Sequence, residues 1–307
     1  MWEVALSTMW AIGRFGRLEE FFSAAWQLGF RRFELNHEVN SRMLSQIDLK
    51  NGYRVMSVHE PCPADVPTAV LRDRHWLVSA VDEECRQQGV RAVQRSIDLA
   101  QELGARIIVV HTGCVDVDMQ LERELRDLFR AGQAGTPRYA EAKERLVAAR
   151  AARVGANLDA ARRSMVELAA YAGRAGIRLG VENRYHYLDI PLLDEMDELL
   201  MTVDDGQIGF WYDVGHAQAL ENLGFDRHEE WLRRYASRMV GAHLHDIKGI
   251  DDHFAAGLGE VDWDMVAASL PEDALRTCEF RPHNTPEQVL DGVRFLAEKG
   301  CLTCLSC

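Results

Sequence analysis

The feature that most constrains this chain is a rhythm: short apolar runs alternate with longer segments whose apolar residues recur every three or four positions. The short runs are EVALST (3–8), RRFELN (31–36), YRVMSVH (53–59), RIIVVHTG (106–113), IRLGVEN (177–183), IGFWYDVG (208–215), MVGAHLH (239–245) and LRTCEF (275–280). Segments such as RLEEFFSAAWQLGF and AVQRSIDLAQELGA between them carry helical spacing. Gly29, Gly104 and Gly176 sit where a helix would end in a left-handed residue. Eight strands alternating with helices in 307 residues predict a parallel (β/α)8 TIM barrel. A doubly wound sheet is the rival, but no glycine-rich phosphate loop follows the first strand. With 47% hydrophobic residues the chain can fill such a core as one domain over 1–307. Two segments stand apart. Residues 116–176 form a long helical crossover between strands four and five, broken at AGQAGTP (131–137) and expected to arch over the barrel mouth. Residues 300–307 form a tail whose Cys301, Cys304 and Cys307 are expected to be reduced thiols.

Charge and hydropathy narrow the function. Lys and Arg total 35 against 48 acids, a net charge of −13, which disfavours nucleic acid as a partner. The most basic run, Arg145–Arg163, places its arginines at helical spacing and reads as a solvated helix face. The sequence carries no signal-peptide pattern and no run near the roughly 18 apolar residues of a membrane span, so a soluble cytoplasmic protein is expected. Seven scattered cysteines do not suggest a disulfide framework. Both a monomer and a homo-oligomer are left open.

Barrel enzymes work at the C-terminal ends of their strands. Here those ends supply His59, His111, Glu182, Asp213 with His216, His243 and Glu279, while Asp251 and His253 follow on the loop after strand seven. Imidazole mixed with carboxylate suits Mn²⁺, Zn²⁺, Fe²⁺ or Co²⁺, with Mg²⁺ a further candidate. Each residue alone is weak evidence, since a single strand-end histidine is usually structural. Polar groups at six successive strand ends are hard to obtain by chance, and carboxylates in a barrel mouth are costly unless paired or metal-bound. His245 shares a strand face with His243. Arg184 and Arg281 follow Glu182 and Glu279 by two positions each. These three are read as substrate contacts, with a supporting role to the ligands as the alternative.

The motifs VENR, DVGHA, HLHD, D-D-H with GLGEVDW downstream, and CEFRP together resemble the xylose isomerase-like TIM barrels, a superfamily that also contains endonuclease IV. The resemblance to its sugar phosphate isomerases/epimerases implies one divalent ion held by Glu182, Asp213, His243 and Glu279, with the two glutamates moving a proton beside a carbonyl. The resemblance to endonuclease IV implies up to three ions held by His59, His111, Glu182, Asp213, His216, His243, Asp251, His253 and Glu279. That gives a metal-dependent isomerase or epimerase of a sugar or sugar phosphate first, and a multinuclear metallohydrolase of a phosphate ester second. A metal-bearing barrel that only binds a ligand stands third. DNA repair is disfavoured by the charge, by the lack of a recognisable intercalating loop, and by CEFRP and HLHD, which depart from the endonuclease pattern.

Overall fold

A computed structural model describes residues 2–50, 52–203 and 206–302. Among these, eight parallel strands close a barrel in the order β1-β2-β3-β4-β5-β6-β7-β10. They are β1 (Ala5–Ser7), β2 (Arg32–Leu35), β3 (Arg54–His59), β4 (Ile107–Val110), β5 (Arg178–Glu182), β6 (Ile208–Asp213), β7 (Met239–Leu244) and β10 (Leu275–Cys278). Each lies within one of the apolar runs of the sequence. The helices are α1 (Leu18–Gln27), α2 (Ser41–Leu44), α3 (Thr68–Asp73), α4 (Glu83–Leu103), α5 (Gln120–Arg130), α6 (Pro137–Ala151), α7 (Val154–Ala175), α8 (Leu193–Leu200), α9 (Val214–Asn222), α10 (His228–Tyr235), α11 (Trp263–Ser269) and α12 (Pro286–Glu298). The expected (β/α)8 barrel is therefore the observed one. None of the described helices is long and apolar enough to cross a membrane.

Strand alternation sorts β6 into two faces. Phe210 and Tyr212 join the core between barrel and helices, while Trp211 points inward with Ile107, Val109 and Val240. A Cβ at Gly241 would lie 2.2 Å from the Trp211 ring, so only glycine leaves room for the indole there. The ring edge then supports His243, with centroids 5.1 Å apart. The barrel floor is apolar and its upper layer is polar.

The crossover holds α5, α6 and α7. The chain leaves helix between Ala131 and Thr136, as expected, and again at Ala152–Arg153. Helices α5 and α6 share a small core of Leu125, Leu128, Tyr139, Leu146 and Leu188. The solvated-face reading of the run holds at Arg145, Arg153, Arg162 and Arg163, which are exposed, and fails at Arg150. It is buried, and its guanidinium donates to Glu195 at 2.5 Å, to the Tyr187 carbonyl at 2.8 Å and to the Asp189 carbonyl at 3.0 Å. The loop after β7 is not irregular. It forms an antiparallel hairpin of β8 (Asp246–Lys248) and β9 (Asp251–Phe254). Cys62, Cys85, Cys114, Cys278 and Cys301 are free thiols, whereas Cys304 and Cys307 lie outside the described residues.

Candidate metal centre

Register builds the polar layer. Glu182 ends β5 opposite Trp211, Asp213 ends β6 opposite His243, and Thr277 of β10 flanks His243 on the other side. Glu279 follows β10 directly. Glu182, Asp213, His243 and Glu279 each offer one ligand atom, and these atoms lie within 4.8 Å of one another. All four residues are buried. His243 Nδ1 faces three carboxylates: Glu182 Oε1 at 2.9 Å, Glu279 Oε2 at 3.2 Å and Asp213 Oδ2 at 3.4 Å.

Two further groups adjoin this quartet. His59 and His111, at the ends of β3 and β4, approach through their Nε2 atoms at 2.6 Å, and His111 Nε2 lies 3.3 Å from Glu182 Oε2. On the other side stand His216, Asp252 and His253. His216 Nδ1–H donates to the Asn183 carbonyl and His253 Nδ1–H to the Glu279 carbonyl, each at 3.0 Å. Those hydrogen bonds leave both Nε2 atoms turned toward Asp252 Oδ2, at 3.9 and 3.5 Å. Fixing one ring nitrogen so that the other presents its lone pair is how protein histidines are prepared as ligands.

Asp251 is corrected. It is exposed on β9 and lies 3.8 Å from Arg130, away from the donors; Asp252 takes its place beside His253. Regular alternation would put 251 and 253 on one face, but His253 has φ +62°. That left-handed residue breaks the alternation, so the adjacent side chains of Asp252 and His253 both turn inward.

His245 is also corrected as a substrate contact. Its Nδ1 accepts the His253 backbone N–H at 3.0 Å, its Nε2–H donates to Asp213 Oδ1 at 3.0 Å, and the ring is fully buried. A Cβ at Gly215 would fall 2.2 Å from this ring, which accounts for the glycine in DVGHA. His245 therefore orients Asp213. The aspartate of HLHD, Asp246, holds the following loop instead, accepting from Gly257 N at 2.8 Å, Val261 N at 3.2 Å and Trp263 Nε1 at 3.0 Å. Arg184 donates to Glu182 from within the barrel mouth, and Arg281, half exposed, lies 2.5 Å from Asp252. Each arginine sits against a candidate ligand.

Glu34, on β2, carries no motif in the sequence. Its Oε1 lies 3.0 Å from His243 Nε2 and its Oε2 accepts from Ser57 Oγ at 2.7 Å. A lone acid between Phe33 and Leu35 is the signal that marks it, because an inward carboxylate in an apolar strand needs a partner.

The electrostatics follow from this crowding. Burial alone would raise the Glu182 carboxyl, yet Arg184, His111 and His243 hold it well below its ordinary range. Burial works the same way on Asp213, and His216 and His245 overcome it. Burial would lower His243, but Glu279 and Glu34 hold its imidazole well above the usual range. The carboxylates thus remain ionised, and without another cation they favour a protonated imidazole at His243, whereas burial keeps His111 and His253 below the ordinary histidine range. A donor set of buried carboxylates and oriented imidazoles fits a borderline divalent ion.

Known proteins share this architecture. A family model described as "Xylose isomerase-like TIM barrel" matches residues 22–299. Two curated relatives, uncharacterized proteins of Sinorhizobium fredii and Methanocaldococcus jannaschii, are 25% and 23% identical over 198 and 197 residues. Those matches cover 62% and 63% of this chain, and the chain spans about half the length of these relatives, 51% and 56%. Among solved structures, a D-tagatose 3-epimerase-like protein has a TM-score of 0.69 at 19% identity, covering 97% of each chain. The 3-keto-D-glucoside 4-epimerase of E. coli has a TM-score of 0.67 at 15% identity, covering 97% of this chain and 100% of its own. IolI protein with a bound zinc atom has a TM-score of 0.66 at 13% identity, covering 99% and 100%. At these identities the likeness is one of fold.

Proposed function

The chain belongs to the xylose isomerase-like TIM barrel family, and from that premise we propose that it is a divalent-metal-dependent isomerase or epimerase of a sugar-type carbonyl substrate. The observation that carries the reading is the buried quartet Glu182–Asp213–His243–Glu279, whose donor atoms converge on one point. The epimerases among its structural neighbours support the same class.

The quartet would hold one ion, which when bound acts as a Lewis acid toward a substrate carbonyl oxygen. The chain's own residues do the rest. Glu182 and Glu279 come from different sides of the barrel, so one takes the proton beside the carbonyl and the other returns a proton from the opposite face. Arg184 holds the Glu182 carboxylate in place, and His59 Nδ1 does the same for Glu279 Oε1 at 3.3 Å. His245 and the Asn183 side-chain amide fix Asp213, whose backbone N–H reaches Asn183 Oδ1 at 2.7 Å.

The test is incorporation of solvent deuterium into candidate ketoses, followed by NMR on Mn²⁺-loaded protein. Glu182→Gln and Glu279→Gln should each lower turnover by about 10²–10⁴-fold. Full activity in either variant would rule out the two-glutamate mechanism.

A second reading, a multinuclear metallohydrolase of a phosphate ester, is favoured by one specific observation. His216, Asp252 and His253 form a separate set with both imidazoles already oriented, and a one-metal epimerase has no use for it as ligands. Elemental analysis separates the readings. One ion per chain, unchanged in Asp252→Asn, supports the isomerase; two or three, reduced in that variant, move the hydrolase first. Asp251→Asn should leave the count untouched in either case.

A further inference from the structure

A small cavity adjoins the metal donors and is absorbed by none of the roles above. It lies between the ends of β3, β4 and β5 and the helices α3 and α4, and it encloses about 40 Å³. That is space for roughly three waters or one hydroxymethyl group, taking about one water per 10–15 Å³ of such volume. The ring of His111 and the guanidinium of Arg184 form its wall on the metal side.

Three buried polar atoms on this wall have no hydrogen-bond partner among the described residues: Thr68 Oγ1, Arg184 Nε and Asp189 Oδ2. Arg184 and Asp189 are 8% and 1% exposed, which leaves little access to bulk water. Their closest approach, Nε to Oδ2 at 3.5 Å, is an ion-pair contact without hydrogen-bond geometry. Buried polar atoms are almost always satisfied, so three orphans around one void indicate a guest that supplies both donor and acceptor. The opposite wall is apolar, built from Leu71, Trp76 and Val93. Gly89 brings α4 close there, because a Cβ on it would lie 2.5 Å from the Leu77 backbone.

A group that fits must pair carbon on one side with a hydroxyl on the other. That hydroxyl can accept from Arg184 Nε–H and from Thr68 Oγ1–H while donating to Asp189 Oδ2. A phosphate fits badly. Arg184 is engaged by Glu182, and Arg72 lies 3.1 Å from Asp189 Oδ1, so both guanidiniums are already matched by carboxylates. Glu60 adds a further carboxyl to the lining.

We propose that the cavity bounded by Thr68, Arg184 and Asp189 seats the hydroxyl-bearing end of an unphosphorylated polyol-type substrate whose reacting end lies at the quartet. The proposal rests on the isomerase reading for the identity of that reacting end. It makes Thr68, Arg184 and Asp189 the residues that select against a terminal phosphate, by offering matched hydroxyl partners and no free cation.

The experiment titrates D-fructose and D-ribulose, each beside its terminal phosphate ester, into Mn²⁺-loaded protein by calorimetry. At least one free ketose should bind more tightly than its phosphate. Thr68→Val, which removes the hydroxyl at nearly constant volume, should weaken that ketose roughly tenfold, the loss of one hydrogen bond. Ala92→Leu, which fills the void from α4, should do the same, with metal content unchanged in both variants. Phosphates binding as tightly as the ketoses, wild-type ketose affinity in both variants, or no ketose binding at all would each overturn the proposal. The two readings fail separately. Thr68-dependent ketose binding that persists in protein without deuterium exchange keeps this subsite and removes the isomerase.

Discussion

His243 is engaged at both ring nitrogens, and the partners differ in kind. Nδ1 faces Glu182, Asp213 and Glu279, the groups that converge on a common point, whereas Nε2 meets Glu34. A carboxylate accepting from the far nitrogen fixes the tautomer and leaves Nδ1 as the ligand atom. Glu34→Ala should therefore lower affinity for a divalent ion by about 10–100-fold, read by competition with a chromophoric chelator. Glu34→Gln, which keeps an acceptor oxygen, should lose much less; equal losses in both variants would deny the orienting role. The residues of the quartet were legible because each follows an apolar run and sits in a recognisable motif. Glu34 was not, since no recognisable motif surrounds it, although it stands one residue before the end of β2 as His243 does in β7. Asp251 was taken for Asp252 for a different reason: the resemblance to endonuclease IV supplied Asp251 on a loop, and only the left-handed backbone of His253 turns the neighbouring Asp252 inward instead.

At the scale of elements, the barrel strands, the long crossover and its first break were readable, because period and glycine stops are local properties. The hairpin of β8 and β9 was not. Its strands are three and four residues long, too short for a period to register. Helix α5 reaches this hairpin through Arg130 and Asp251, and it is fastened to the loop after β5 by Glu122. That carboxylate accepts from Tyr187 N and Leu188 N, each at 3.1 Å, and pairs with His186 Nδ1 at 2.9 Å and Arg126 Nε at 2.8 Å. Burial would raise its pKa, yet His186 and Arg126 hold it at about 2, below the ordinary 4.5. A depressed carboxyl stabilises the fold above its unfolded value and loses that contribution as pH falls toward its folded one. The attachment of α5 should thus weaken between pH 4.5 and about 2, by an amount on the order of 2 kcal/mol. Amide exchange of α5 against pH should show this loosening, and Glu122→Gln should start from the loosened state and show little further acid dependence. Acid-insensitive protection in the unaltered protein would refute the role.

For the whole molecule, fold and site are coupled through charge. Glu34, Glu182, Asp213, Asp252 and Glu279 are all buried at one end of the barrel, in a chain of net charge −13. Packing of Trp211 and the surrounding helices must hold these acids together against their mutual repulsion, with Arg184, His59, His243 and His245 as countercharges. A divalent ion that binds only the folded chain adds RT ln(1 + [L]/Kd), about 4 kcal/mol at a thousandfold excess over Kd. Unfolding entropy of roughly 2.1 cal/mol/K per residue converts that into a rise in Tm of ~6 °C for a chain of this length. Calorimetry before and after chelation, then after adding back Mn²⁺ or Zn²⁺, should show a reversible shift of this order. The size of the shift also bears on how many sites fill, since independent ions add their terms while a single quartet supplies one. An identical Tm in chelated and reloaded protein would mean that the histidines and Arg184 balance the acids unaided, and both metal-dependent readings would then fall together. The overall charge could not have disclosed this balance, because it depends on which acids the barrel brings to a common point.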